Sequence, residues 1–163
     1  TLIFETGVVL RGVRIVFSGH NATIRINANS TVRGVFICAS NAEILIDSDT
    51  KFNKPCQLEA SQGRKITLGK ECLMANVNFY TKDGVSIYEK ENNSLLNPSA
   101  DIQIGNKVWI AENSIILKGS VIEDQVVVAA GSVVSACITA NSIAAGNPAT
   151  VVRQGITWDE QRL

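Results

Sequence analysis

Few side chains in this 163-residue chain are equipped for chemistry, and several of those sit in one stretch. There is a single histidine, His20, in the run Ser18-Gly-His-Asn21. Imidazole is the side chain best matched to proton transfer near neutral pH. Here its neighbours are turn formers, so it reads as a corner or surface residue. The cysteines Cys38, Cys56, Cys72 and Cys137 form no Cys-x-x-Cys pair and no metal-ligand spacing, which points away from a metal site. They read as buried free thiols in a reducing compartment. Further acid–base candidates lie in Asp83-Gly-Val-Ser-Ile-Tyr-Glu-Lys-Glu-Asn-Asn-Ser-Leu-Leu-Asn-Pro98, where Asp83, Tyr88 and Glu89 could move a proton.

What positions that stretch is a repeat of six. Ile104, Ile110, Ile116, Ile122, Val128 and Val134 recur at that interval, each preceded two residues earlier by Ile102, Val108, Ser114, Ser120, Val126 or Ser132. Residues i and i−2 share a face only in a strand, and a helix would need a period of 3.6. The slot after the aliphatic residue holds Gly105, Ala111 or Ala129, as a tight corner requires. Hexads of this kind predict a parallel β-helix. An antiparallel sandwich would show hairpin signals at irregular spacing instead. Cys72 and Cys137 fall where the hexads place small inward residues.

The same phase reaches further back. Asn21-Ala-Thr-Ile24-Arg-Ile26-Asn27, Asn41-Ala-Glu-Ile44-Leu-Ile46-Asp47, Gly63-Arg-Lys-Ile66-Thr-Leu68-Gly69 and Ser99-Ala-Asp-Ile102-Gln-Ile104-Gly105 share one pattern. A coil of three hexads needs about eighteen residues, so small corner loops account for the longer intervals before Leu68. Between Leu68 and Ile104 there is room for one coil and an insertion of similar length, which falls at 83–98. A patternless loop thrown out of a regular solenoid is usually functional. At the far end, Asn147-Pro148 breaks the strand pattern, and Thr157-Trp-Asp-Glu160 reads as a capping box opening a short helix. The expectation is one domain over 1–163, with 147–163 capping the open end.

Fifteen basic and fifteen acidic residues cancel, which argues against nucleic acid or an anionic membrane as partner. No apolar run approaches the ~20 residues of a membrane span. The opening Thr1-Leu-Ile-Phe-Glu shows no charged leader before its apolar residues, so no secretory signal is expected, and without a Met the start reads as trimmed. The location expected is the cytoplasm.

Three runs, Ile104-Gly-Asn-Lys-Val-Trp-Ile110, Ala129-Ala-Gly-Ser-Val-Val134 and Ala144-Ala-Gly-Asn-Pro-Ala-Thr-Val-Val-Arg153, taken in order, resemble the hexapeptide-repeat acyltransferases. Within these they are most similar to the sugar O-acetyltransferases, of the maltose and galactoside kind, that modify capsular or cell-surface polysaccharides. The resemblance spans about 66–158. It implies a left-handed β-helix, against the usual crossover hand. It also implies a homotrimer, acetyl-CoA as donor, a sugar or polysaccharide acceptor, and active sites between subunits. Trp109 would line the acetyl and pantetheine arm, backbone groups around Ala111 and Ala130 would bond the pantetheine amides, Ser135 would lie further along, and Arg153 would reach the phosphates. A guanidinium suits phosphate. Subunit packing for Trp109 and a solvated charge for Arg153 are the plain alternatives.

The chain departs from the family at the chemistry. Acetyl transfer to a hydroxyl needs a group to take its proton. In the family this is a His in a run like Asp-Gly-His-Ser-Ile-Tyr. Here Val85 stands at that position, in Asp83-Gly-Val-Ser-Ile-Tyr88, and valine accepts no proton. His20 is expected about two coils away, on the order of 10 Å. The resemblance therefore implies an O-acetyltransferase, and the alternative is a catalytically impaired relative that binds CoA or glycan or serves a structural role.

Overall fold

In the computed structural model, which describes residues 1–161, the chain winds into a stack of parallel coils with three faces. The first face is a seven-stranded sheet: β1 (Leu2–Phe4), β3 (Thr23–Ile26), β5 (Glu43–Ile46), β8 (Lys65–Leu68), β11 (Ile102–Ile104), β14 (Val121–Ile122) and β17 (Cys137–Ile138). The second carries β6 (Lys51–Phe52), β9 (Leu73–Met74), β12 (Trp109–Ile110), β15 (Val127–Val128) and β18 (Ser142–Gly146). The third carries β7 (Cys56–Ala60), β10 (Asn78–Tyr80), β13 (Ile115–Leu117) and β16 (Val133–Val134). Two long strands, β2 (Val9–Ser18) and β4 (Thr31–Ala39), bend across the corner and supply both of these faces. The stack ends in β19 (Ala149–Gln154), which pairs antiparallel with β18. The Asn147–Pro148 bond in the turn between them is cis.

The register is the one that the hexads predict. Ile26, Ile46, Leu68, Ile104, Ile122 and Ile138 pair in succession up the first face. Each is buried, as are Ile110, Ile116, Val128 and Val134. A parallel stack lets every inward side chain sit on its equivalent one coil away, so burial is continuous along the axis. The inward serines are buried too, and Ser114, Ser120 and Ser132 donate to the corner carbonyls of Ala111, Leu117 and Ala129 three residues back. That bond meets the need of a hydroxyl taken out of water.

Corner geometry explains the rest of the hexad. Lys107, Asn113 and Gln125, each three residues after the inward aliphatic, have a left-handed backbone, as do Asn29, Asp49 and Glu71 on earlier coils. Asn and Asp tolerate that region best among residues with a side chain. At Gly105 a Cβ would stand 2.4 Å from Oδ1 of Asp124, whose carboxylate accepts the Asn106 amide at 2.7 Å, so the slot excludes a side chain.

Three expectations are corrected. Cys137 is exposed. The last corner is shorter than a hexad, Ile138 takes the inward position opposite Ile122, and alternation turns Cys137 outward. The other three thiols are buried, and burial pushes Cys56 and Cys72 up to about 11, which keeps them protonated and unreactive. No helix forms over 157–161, and residues 162–163 lie outside the described chain. The capping-box groups bind elsewhere: Thr157 Oγ1 is 3.0 Å from Gln125 Oε1, and Glu160 accepts from Lys51 Nζ at 2.7 Å. Finally, His20 is three coils below the insertion, since its corner is followed by those of Ser40 and Ser61 before Thr81. At the strand spacing that is about 14 Å along the axis.

Candidate functional site

The insertion leaves the stack between β10 and β11 and is folded, not patternless. Tyr88 and Leu95 form an antiparallel bridge, and Leu96 N–H donates to the Ile87 carbonyl at 2.8 Å. Its base is fastened by Asn97. The Asn97 amide donates to Asp83 Oδ2 at 2.7 Å and to the Val85 carbonyl at 2.9 Å, while its oxygen accepts from Ile87 N–H at 2.7 Å. Lys118, on the neighbouring coil, reaches the same Asp83 oxygen at 2.5 Å and the Asn97 carbonyl at 3.0 Å. The ammonium of Lys118, helped by the Asn97 amide, holds the Asp83 carboxyl below its ordinary value. Asp83 is therefore an anchor and a weakened base.

Val85 is 74% exposed, and its side chain offers the loop no polar group. Beside the loop base is a hollow of about 380 Å³ lined by Glu59, Tyr80, Lys82, Asp83 and Leu117. Glu59 and Lys82 approach to 3.9 Å there. Neither Asn97 nor Lys118 stands out in the sequence. One precedes a proline in a polar loop and the other occupies an ordinary outward hexad position.

The second group of residues meets on the second face. A larger hollow of about 830 Å³ is walled by Trp109, Ala111, Ala130, Met74, Lys54 and Trp158. Trp109 is 40% exposed. Its ring lies 6.2 Å from that of Trp158, tilted by 50°, and Trp158 Nε1 donates to the Lys107 carbonyl at 2.8 Å. The segment after β19 thus runs back along the coils and lays a second indole beside the first. Sequence reading missed Trp158 in this role, because the contact joins residues far apart in the chain.

The backbone at the hollow is unevenly available. Ala111 N–H already donates to the Val128 carbonyl, and its own carbonyl accepts from Ser114. The Ala130 amide makes no backbone bond among the described residues. Arg153 is outside the hollow but in line with it: Trp109 pairs with Val127, Val127 with Ile143, and Ile143 with Arg153. Three strand steps put Arg153 about 14 Å from Trp109 along the axis. Ser135 is not brought to this hollow; it is exposed just past β16, on the third face.

Comparison with known proteins bears on the repeat and on the fold. Residues 101–136 match the bacterial transferase hexapeptide model, described as six repeats. A polysialic acid O-acetyltransferase of Escherichia coli O1:K1 is 28% identical over 83% of this chain and 44% of its own length. The crystal structure of a polySia-specific acetyltransferase superimposes with a TM-score of 0.93 at 27% identity, over 98% of this chain and 69% of the other. A galactoside acetyltransferase in complex with coenzyme A does so with a TM-score of 0.51 at 25% identity, over 93% and 65%. The chain spans about half the length of the first curated relatives it matches. The likeness gives the coils the left-handed sense of this fold.

Proposed function

We propose that this chain, whose residues 101–136 match the bacterial transferase hexapeptide model, is an acetyl-CoA-dependent O-acetyltransferase acting on a sugar or on a capsular or cell-surface polysaccharide. The observation that carries this reading is the line from Trp109 past Ala130 to Arg153 along one face. It supplies an aromatic wall, an amide without a backbone partner and a guanidinium, in the order in which a thioester arm, its amides and its phosphates would need them. Coenzyme A in the complex of the galactoside relative supports the same donor.

In the reaction an acceptor hydroxyl oxygen bonds the thioester carbonyl carbon, the C–S bond breaks, the sulfur leaves as thiolate, and the hydroxyl proton must pass to a base that hands it on to that sulfur, giving CoA thiol. Val85 cannot take it, and Asp83 is tied to Lys118 and Asn97. We therefore assign Asp83 to loop anchoring and read transfer in this chain as slow. The absent imidazole favours a second reading, a relative that binds CoA or glycan without efficient turnover. A homotrimer fits both readings. Trp109 and Ser135 lie on different faces, and apposition of one copy's second face with another's third would let both border one ligand. Free thiols suit a cytoplasmic setting, and no helix among the described residues is long and apolar enough to cross a membrane.

Calorimetry with CoA tests the donor. Heat of binding is expected, and Arg153→Ala should weaken CoA more than pantetheine, which lacks the phosphates. No heat at millimolar CoA sinks the assignment. Release of CoA thiol against a panel of sugars then separates the transferase from the binder.

A further inference from the structure

Residues 8–42 contain Arg11, Arg14, Arg25 and Arg33 and no aspartate or glutamate. The coils gather three of these arginines at the edge between the second and third faces. Leu10 pairs with Val32 and Val13 with Gly34, so Arg11 lies opposite Arg33 where β2 and β4 bend. On the next coil Thr31 pairs with Lys51 and Gly34 with Cys56, which sets Lys54 in the same corner. Arg14 opens the third face beside them, paired with Val35. With coils about 4.8 Å apart, Arg11, Arg33 and Lys54 form a row about 10 Å long.

The row leads somewhere. Further along, the same edge is made by Ala75, Ala111 and Ala130, which line the hollow next to Trp109, and Lys54 lines it as well. Lys54 is paired with Glu112 at 2.5 Å. Among the described residues, no carboxylate stands within ion-pair distance of Arg11, Arg14 or Arg33. Nε of Arg33 is buried and has no hydrogen-bond partner among the described residues. A guanidinium in that position gains from an anion on its outer nitrogens.

We propose that this edge guides an anionic polysaccharide, one bearing carboxylates along its length, to the transfer site. The proposal rests on the acetyltransferase reading and narrows its acceptor. Each exposed arginine–carboxylate pair is worth only about 0.2–1 kcal/mol, so a lone acidic sugar would be held poorly. A polymer engages several arginines at once and multiplies these small gains. A neutral glycan gains nothing from the row. A single-stranded nucleic acid would want aromatic platforms, which the row itself does not offer.

The test is binding of polysialic acid, polygalacturonic acid, dextran and a single-stranded oligonucleotide to the full chain, with CoA binding measured in parallel. The two carboxylated polymers are expected to bind, more weakly as salt rises, and dextran is not. Arg11→Gln, Arg14→Gln and Arg33→Gln together should weaken the acidic polymers about tenfold and leave CoA unaffected. The corresponding lysine substitutions should keep most of the affinity. If Arg33→Gln impairs folding, the pair at the exposed Arg11 and Arg14 should still cost about threefold. Dextran binding as tightly as the acidic polymers, oligonucleotide binding as tightly, or indifference to the substitutions would overturn the proposal. CoA failing to bind while the acidic polymers still need the arginines would defeat the acetyltransferase reading and leave the edge standing. Acetylation of neutral sugars with acidic polymers ignored would do the reverse.

Discussion

Under the proposed function, Val85 is the position at which one side chain would set the rate of transfer. Its backbone is held by Asn97 and, through Asp83, by Lys118, so the loop presents position 85 in a fixed place whichever side chain it carries. A positioned general base contributes about 10²–10⁴-fold, equivalent to roughly 3–5 kcal/mol of barrier. Val85→His should therefore raise acetyl transfer to a suitable acceptor at least about tenfold, read as CoA thiol release. The pH profile distinguishes this gain from a nonspecific one. Asp83 has a folded-state pKa below its ordinary value, so its anchoring contribution is present above the ordinary carboxylate range and is lost only as pH falls through the lowered value. The acid limb of the variant should consequently follow the imidazole, near 6.5, and not the loop anchor. No gain, with CoA still bound, makes the non-catalytic reading the better one. His20 cannot substitute, being three coils from the loop, so His20→Ala should leave the parent's activity unchanged.

At the scale of strands and corners, stability rests on places where one coil touches the next too closely for a side chain. Gly34, at the bend of β4, has φ of 112°, and a Cβ there would meet the Cys56 carbonyl oxygen at 1.9 Å and its nitrogen at 2.5 Å. Because the obstacle is backbone, it cannot swing aside. Gly34→Ala should cost on the order of 3 kcal/mol, lowering Tm by roughly 6–12 °C in a chain of this size. Asn29→Gly, at another left-handed corner, should shift Tm far less, because glycine adopts that backbone freely. Equal shifts would mean that the bend at Gly34 is not the constraint. Elements of this kind were largely readable in advance. From Ile104 to Val134 inward residues keep one interval, since stacking punishes any slip. The phase failed at Cys137, where a shortened corner is invisible to a fixed period. The capping box at Thr157 and Glu160 failed differently: both groups found partners on other coils, Gln125 and Lys51, and tertiary bonds overrode a local signal. Asn97, Lys118 and Trp158 were illegible for the same reason, since each matters only through a neighbour that folding brings to it.

For the whole molecule, the question is what covers its outer faces. The coil interior is closed by stacking, but the third face turns Ile115, Leu117 and Val133 outward in adjoining rows, and the inserted loop exposes Val85, Ile87, Tyr88, Leu95 and Leu96. Apolar surface gathered on one face and one projecting loop is the pattern of a contact between copies. A closed ring is the economical solution, because a head-to-tail contact that does not close would form filaments. Sedimentation equilibrium at micromolar concentration should give three times 17.5 kDa. Leu95→Asp with Leu96→Asp should shift that particle toward monomer, since a carboxylate buried without a partner opposes association more strongly than the lost leucine contacts alone. CoA affinity should fall with it, because Ser135 and Trp109 could then no longer border one ligand from two copies. A monomeric parent defeats the assembly outright. A trimer indifferent to both aspartates would keep the ring and remove the loop from its interface, which would leave Val85 facing solvent and the catalytic alignment of the loop without a partner surface to complete it.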